Sequence, residues 1–181
     1  MSRVIRGPWA ASLVLGAVMA GLLVGPTSAG TSYQPDGRIR LGSGAFVGTD
    51  VYNTTGAHQT SSTLMLIPTT SLAYLRFTFT VSVRNAGGAA DRFTIKAAWA
   101  ASPYYTVTYH HGTTNITAAV VAGTYRTPSL ASGAAYLITA LVSGSPDAVA
   151  GSSVARLVTI TSNAAPTRKD AVKLVVKTLA M

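Results

Sequence analysis

The chain has no cysteine and no glutamate, and only five acids in 181 residues. Without cysteine there can be no disulfide, no thiolate nucleophile, no thiolate metal centre and no lipid on a cysteine. The acids are Asp36, Asp50, Asp91, Asp147 and Asp170. Glycoside cleavage needs two cooperating carboxyl groups, and nothing in the spacing of these five pairs any of them. Histidine is also scarce, with His58 remote from His110 and His111. Neighbours in a strand point to opposite faces, so the His110-His111 pair shares one metal only within a turn. Calcium asks for six to eight oxygens, usually with several carboxylates, and no such cluster is present. No strand-to-helix Gly-x-Ser-x-Gly elbow occurs. The sequence therefore predicts no enzyme, no metal site and no cofactor.

Long apolar runs are absent except at the start. Arg3 and Arg6 precede a stretch from Trp9 to Val24 that is nearly all apolar, and Thr27-Ser28-Ala29 follows Pro26. This is the three-part layout of a secretory signal, with cleavage near Ala29. Residues 1–29 are thus read as a leader and the product as secreted or extracellular, associated with the cell surface. No stable membrane span is expected once the leader is removed. A disulfide-free exported protein fits a bacterial exterior.

The remaining 152 residues carry 12 bases against five acids. A positive field of that size favours anionic partners, here anionic cell-wall polymers or glycans. The bases are scattered and no dense basic run is interleaved with aromatics, so no specific nucleic-acid site is expected. Nothing identifies a protein partner.

Period-two alternation is the strongest pattern. Leu75, Phe77, Phe79, Val81 and Val83 face one way, with Arg76, Thr78, Thr80, Ser82 and Arg84 opposite them. Phe93, Ile95, Ala97 and Trp99 repeat the pattern against Thr94, Lys96 and Ala98, which makes Trp99 a predicted core residue. Each run reads as a strand with one buried face. The glycine-rich segment 85–91 between them reads as a reversing turn, in which Asn85 can tolerate a left-handed conformation and Asp91 can accept backbone N–H bonds. Further strands are predicted at 104–110, 136–142, 154–161 and 171–177. Segment 116–121 reads equally as an extended piece or one helical turn. Residues 30–72 read as an irregular lead-in with short extended pieces, Arg38 to Leu41 among them as a short first strand, and 73–181 as the sandwich proper. About seven short strands without a convincing helix give an all-β, antiparallel, immunoglobulin-like β-sandwich.

Val83-Arg84-Asn85-Ala86-Gly87 followed by Ala90-Asp91-Arg92-Phe93, then Leu130-Ala131-Ser132-Gly133, then Pro146 to Gly151, mark a resemblance. The stretch from Phe77 to Ser162 resembles the bacterial extracellular immunoglobulin-like modules of the NEW3/CARDB type. That resemblance implies the fold and compartment, and a role as spacer, adhesion module or companion to other domains. It carries no catalytic residues.

The functional expectation is a secreted, non-enzymatic structural or interaction module at a bacterial surface. The alternative is a module that binds carbohydrate or cell-wall polymer. Its candidate contacts are Tyr52, Tyr74, Tyr104 and Tyr125, whose flat rings can stack on sugars, and Lys169, Lys173 and Lys177. The three lysines share one parity on the last predicted strand, with Val172, Leu174 and Val176 on the other. They read either as protection of an exposed terminal strand against pairing or as a cationic strip for acidic polymers.

Overall fold

The computed structural model describes residues 32–66 and 74–179. The predicted leader, residues 1–29, lies outside them. Ten strands and one short helix follow in the order β1 (Pro35–Leu41), β2 (Thr60–Leu66), β3 (Leu75–Asn85), β4 (Phe93–Ala97), β5 (Tyr105–His111), β6 (Thr114–Asn115), α1 (Thr117–Ala122), β7 (Tyr125–Arg126), β8 (Ala135–Gly144), β9 (Ser153–Ser162) and β10 (Lys169–Leu179). They form two five-stranded sheets, β1-β3-β8-β5-β6 and β2-β10-β9-β4-β7. All pairings are antiparallel except that of β2 with β10.

Alternation drives this architecture. Phe79, Val81 and Val83 of β3, with Ile138, Ala140 and Val142 of β8, are buried on one sheet. Phe93 and Ile95 of β4, Val158 and Ile160 of β9, and Val172, Leu174 and Val176 of β10 meet them from the other. Each of these side chains larger than Ala140 stabilises the fold by roughly 1.5–3 kcal/mol on burial. Side chains of opposite parity on the same strands carry the hydroxyls and charges into solvent, so one sequence pattern sets both the core and the decorated faces.

Three expectations are corrected. First, segment 85–91 does not close a hairpin, because β3 and β4 lie in different sheets. Asn85 is buried, and its amide donates to the carbonyls of Ala89 (2.7 Å) and Leu130 (2.9 Å) while its Oδ1 accepts from Gly87 N–H. These bonds brace a crossing from one sheet to the other, and Asn85 is not among the residues with left-handed backbone. Asp91 does accept backbone N–H bonds, from Arg92 (2.7 Å) and Ala164 (3.2 Å), and one from the Ser162 hydroxyl. Second, the lead-in supplies two seven-residue strands, one to each sheet. Third, β10 is no edge: β2 flanks it on one side and β9 on the other. The lysine row therefore does not guard a free margin. Segment 116–121 resolves as helical, and α1 packs against β4, β5 and β7 along one open side of the sandwich.

Asp170 fastens the opposite side. Its carboxylate accepts backbone N–H bonds from Gly37 of β1 (2.6 Å), Asn53 (3.0 Å) and Ala171 (2.9 Å), and bonds from Gln59 Nε2 at 2.9 and 3.0 Å. Burial raises the pKa of this carboxyl, outweighing the donors that pull it down. Raised in the folded state, it contributes stability that is complete below the ordinary aspartate range and is lost as pH rises through the folded value. The stability difference between the wild type and Asp170→Asn should therefore shrink as pH climbs from about 4, read from urea midpoints. A difference that widened with pH would reverse the sign of this effect.

Candidate functional site

The acids are absorbed by the structure. Asp36 is fully buried and pairs with Arg38 (2.6 Å) and Arg84 (3.6 Å), and Asp50 meets Arg84 at 3.6 Å. Asp91 and Asp170 are held in the networks above, and Asp147 accepts from the Ser145 hydroxyl at 3.3 Å. None of the five stands on the outer face of the β2-β10-β9-β4-β7 sheet. That face carries Lys96 on β4, Arg126 on β7, and Lys169, Lys173 and Lys177 on β10. Among the described residues none of these five cations forms an ion pair.

Strand register brings three of them together. Arg126 pairs with Thr94, Thr94 with Thr161, and Thr161 with Lys169, giving one row across four strands. At about 4.8 Å per strand the row spans roughly 14 Å. Lys96 opposes Thr159 in the adjacent row. Together with Asn163 these residues line a hollow of about 500 Å³. Its chemistry is cationic and hydroxyl-rich, suited to an anion that also takes hydrogen bonds. Gly123 caps α1 in the left-handed conformation (φ 73°), and a Cβ there would meet Lys96 Cδ at 3.0 Å. The bare glycine thus lets the lysine stem lie across the helix end. Lys173 and Lys177 extend the positive strip along β10, beside Leu157 and Ser153.

The four candidate tyrosines are not brought into one groove. Tyr52 is 46% exposed beside Asp50, to which its hydroxyl donates at 3.3 Å. Burial, then Asp36 and Asp50, raise its pKa. Tyr74 is 62% exposed at the far end of β3, roughly 30 Å along the strand from Arg84. Tyr104 packs half-buried against the core near that same end, where Ser145 N–H bonds its carbonyl at 2.7 Å. Tyr125 braces the two sheets through a 2.7 Å bond between its hydroxyl and that of Tyr136. Burial and this bond push the Tyr136 pKa up, and His111 stacks on the Tyr136 ring at 4.3 Å.

Trp99 is a further correction: it is 64% exposed, not buried. The parity argument needs β4 to continue, but the strand ends at Ala97. Ala98 N–H still bonds Leu157 (2.9 Å), so the next inward place would face Arg156 on β9. Arg156 occupies that place, bonds the carbonyl of Ala100, and the chain turns away with Trp99 outward.

Lys96 and Arg126 were missed as site residues. Lys96 shared its parity with Thr94 in the sequence, a usable signal, whereas Arg126 enters only through a two-residue strand that no pattern announces. Among the described residues no group of three His, Cys, Asp or Glu is placed to hold a metal ion, and no helix is long and apolar enough to cross a membrane.

The geometry defines an all-β sandwich. Solved structures of similar shape include the N-terminal domain of PorA, 13% identical with a TM-score of 0.48, the match covering 78% of this chain and 96% of that one. They also include the VesB protease of Vibrio cholerae (10% identical, TM-score 0.38, 64% of this chain and 30% of that one). A third is a family 123 glycoside hydrolase from Clostridium perfringens (7%, TM-score 0.32, 67% and 23%). No family model matches the sequence, and no curated protein matches it.

Proposed function

We propose that this protein is an exported, non-catalytic immunoglobulin-like module that holds anionic cell-wall polymers at a bacterial surface. The observation that carries the reading is the outer face of the second sheet: five cations, no acid, and a hydroxyl-lined hollow under three of them. Export rests on the leader pattern of residues 1–29. The immunoglobulin-like part is supported by strand order. Taken as A to G, the strands β1, β3, β4, β5, β8, β9 and β10 give one sheet A-B-E-D and another G-F-C. That is the constant-type arrangement, here with β2 added beside the last strand.

Each exposed base near an anionic surface contributes about 1 kcal/mol. Replacing Lys96, Arg126 and Lys169 together by alanine should therefore weaken retention on a phosphate-bearing wall polymer about 100-fold. Wild-type retention should vanish by about 0.3 M salt, where charge is screened. Arg76→Ala, on the opposite sheet, should change nothing. Equal retention of the triple variant, or retention that persists at about 1 M salt, would overturn the assignment.

A further inference from the structure

The inward row of β9 contains a cation. Arg156 stands between Val154 and Val158 and is 6% exposed. A buried charge is costly unless it is paired, yet no acid faces this one. Asp36 and Asp50 are engaged by Arg38 and Arg84, and the other three acids by the contacts already described. The guanidinium makes two bonds, Nη1 to the carbonyl of Ala155 (2.9 Å) and Nη2 to that of Ala100. An arginine has five N–H donors, so three find no acceptor among the described residues.

Those donors belong to a side chain that lines a cavity of about 170 Å³, bounded by Trp99, Ser102, Tyr105 and Val107. One inward position beyond Val107, the Tyr109 hydroxyl is buried with no partner. Burial raises its pKa, and the Arg156 charge works against that rise. At the rim stands Trp99, which also borders a hollow of about 540 Å³ against Asn115 and Thr117.

We propose that this cavity binds a carboxylate carried on a ring, with the carboxylate on the Arg156 fork and the ring against the Trp99 indole. Three observations select that chemistry. A guanidinium matches a planar carboxylate bidentately. One cation balances one negative charge, whereas a phosphate dianion would keep an unpaired charge. The volume is that of about five or six waters, below the range for a whole drug-sized ligand. It admits the head group and leaves the ring across the exposed indole, where stacking is available. An aromatic acid and a sugar acid share this chemistry. The site is separate from the cationic outer face, since Arg156 points into the sandwich.

The test titrates the full chain with benzoate, glucuronate, acetate, benzamide and glucose, following the Trp99 indole N–H resonance. Benzoate or glucuronate should shift it, and which of them does so identifies the source of the ring. Acetate, and the neutral counterpart of whichever ring acid binds (benzamide for benzoate, glucose for glucuronate), should bind at least tenfold more weakly than that acid. Arg156→Met should raise the dissociation constant at least tenfold while retention on wall polymer stays at the wild-type level. Trp99→Ala should reduce ring acids to the affinity of acetate. An unmoved Trp99 resonance with both acids, the neutral counterpart binding as well as its acid, or full affinity in Arg156→Met would each overturn the proposal. The comparison of acid with neutral counterpart needs no variant, so it decides the matter even if Arg156→Met does not fold.

Discussion

Asp170→Ala should destabilise the protein by about 2–4 kcal/mol near pH 4, where the contribution of its carboxyl is largest, because several buried donors lose their acceptor at once. The carboxylate receives three backbone N–H groups and the Gln59 amide, and these donors sit on β1, on the segment before β2 and on β10. Alanine returns no acceptor, and each buried orphan donor costs about 1–3 kcal/mol. The effect should be global, because Asp170 links an edge strand of one sheet to an inner strand of the other. Urea unfolding would measure it, with exposed Asp147→Ala as the control that shifts stability by less than about 0.5 kcal/mol. A loss below about 1 kcal/mol for Asp170→Ala would mean that water replaces the carboxylate and that the network is not a fastener.

The next largest effect lies where an edge strand reaches into the core. Met65 of β2 is fully buried, and its thioether fills the space above Gly144 of β8 in the facing sheet. A Cβ on residue 144 would fall on Met65 Sδ. Met65→Ala should cost about 2–5 kcal/mol through lost burial and a residual cavity. Gly144→Ala should cost about 1–3 kcal/mol by overpacking. The double variant should be more stable than the sum of the two losses allows, by at least about 0.5 kcal/mol, since the new methyl enters the vacated volume. Strict additivity would show that the two residues do not share that space.

Much of the sandwich was legible because its central strands alternate along most of their length, broken inward only by residues such as Arg156 and Asp170. β3, β8, β9 and β10 bury the side chains that period two assigns to the core, down to the lysines on the outward parity of β10. β1 and β2 were harder. Of β1 only Arg38 to Leu41 read as a short strand, because Asp36 before it is a buried charge, and Thr60 to Thr63 of β2 are hydroxyls with no hydrophobic pattern. Each is fixed by its neighbour, β3 or β10. Trp99 misled for a related reason: its parity was sound, but Arg156, more than 50 residues away in sequence, holds the inward place. The glycine-rich segment after β3 looked like a hairpin because crossings and reversals use the same residues. The cationic hollow was half visible. Lys169 could be named from its own strand, but its companions depend on which strands lie side by side, and that is a non-local fact.

The parallel pairing of β2 with β10 also bears on how quickly the molecule assembles. More than a hundred residues separate Thr60 from its partner Lys173, and such distant contacts slow folding because a large loop must close before they stabilise anything. Until β10 arrives, β2 has no hydrogen-bonded neighbour and β9 lacks one of its two. A polypeptide emerging from its amino end therefore holds its second sheet in two unjoined parts, β2 on one side and β9-β4-β7 on the other, until its final strand has been made.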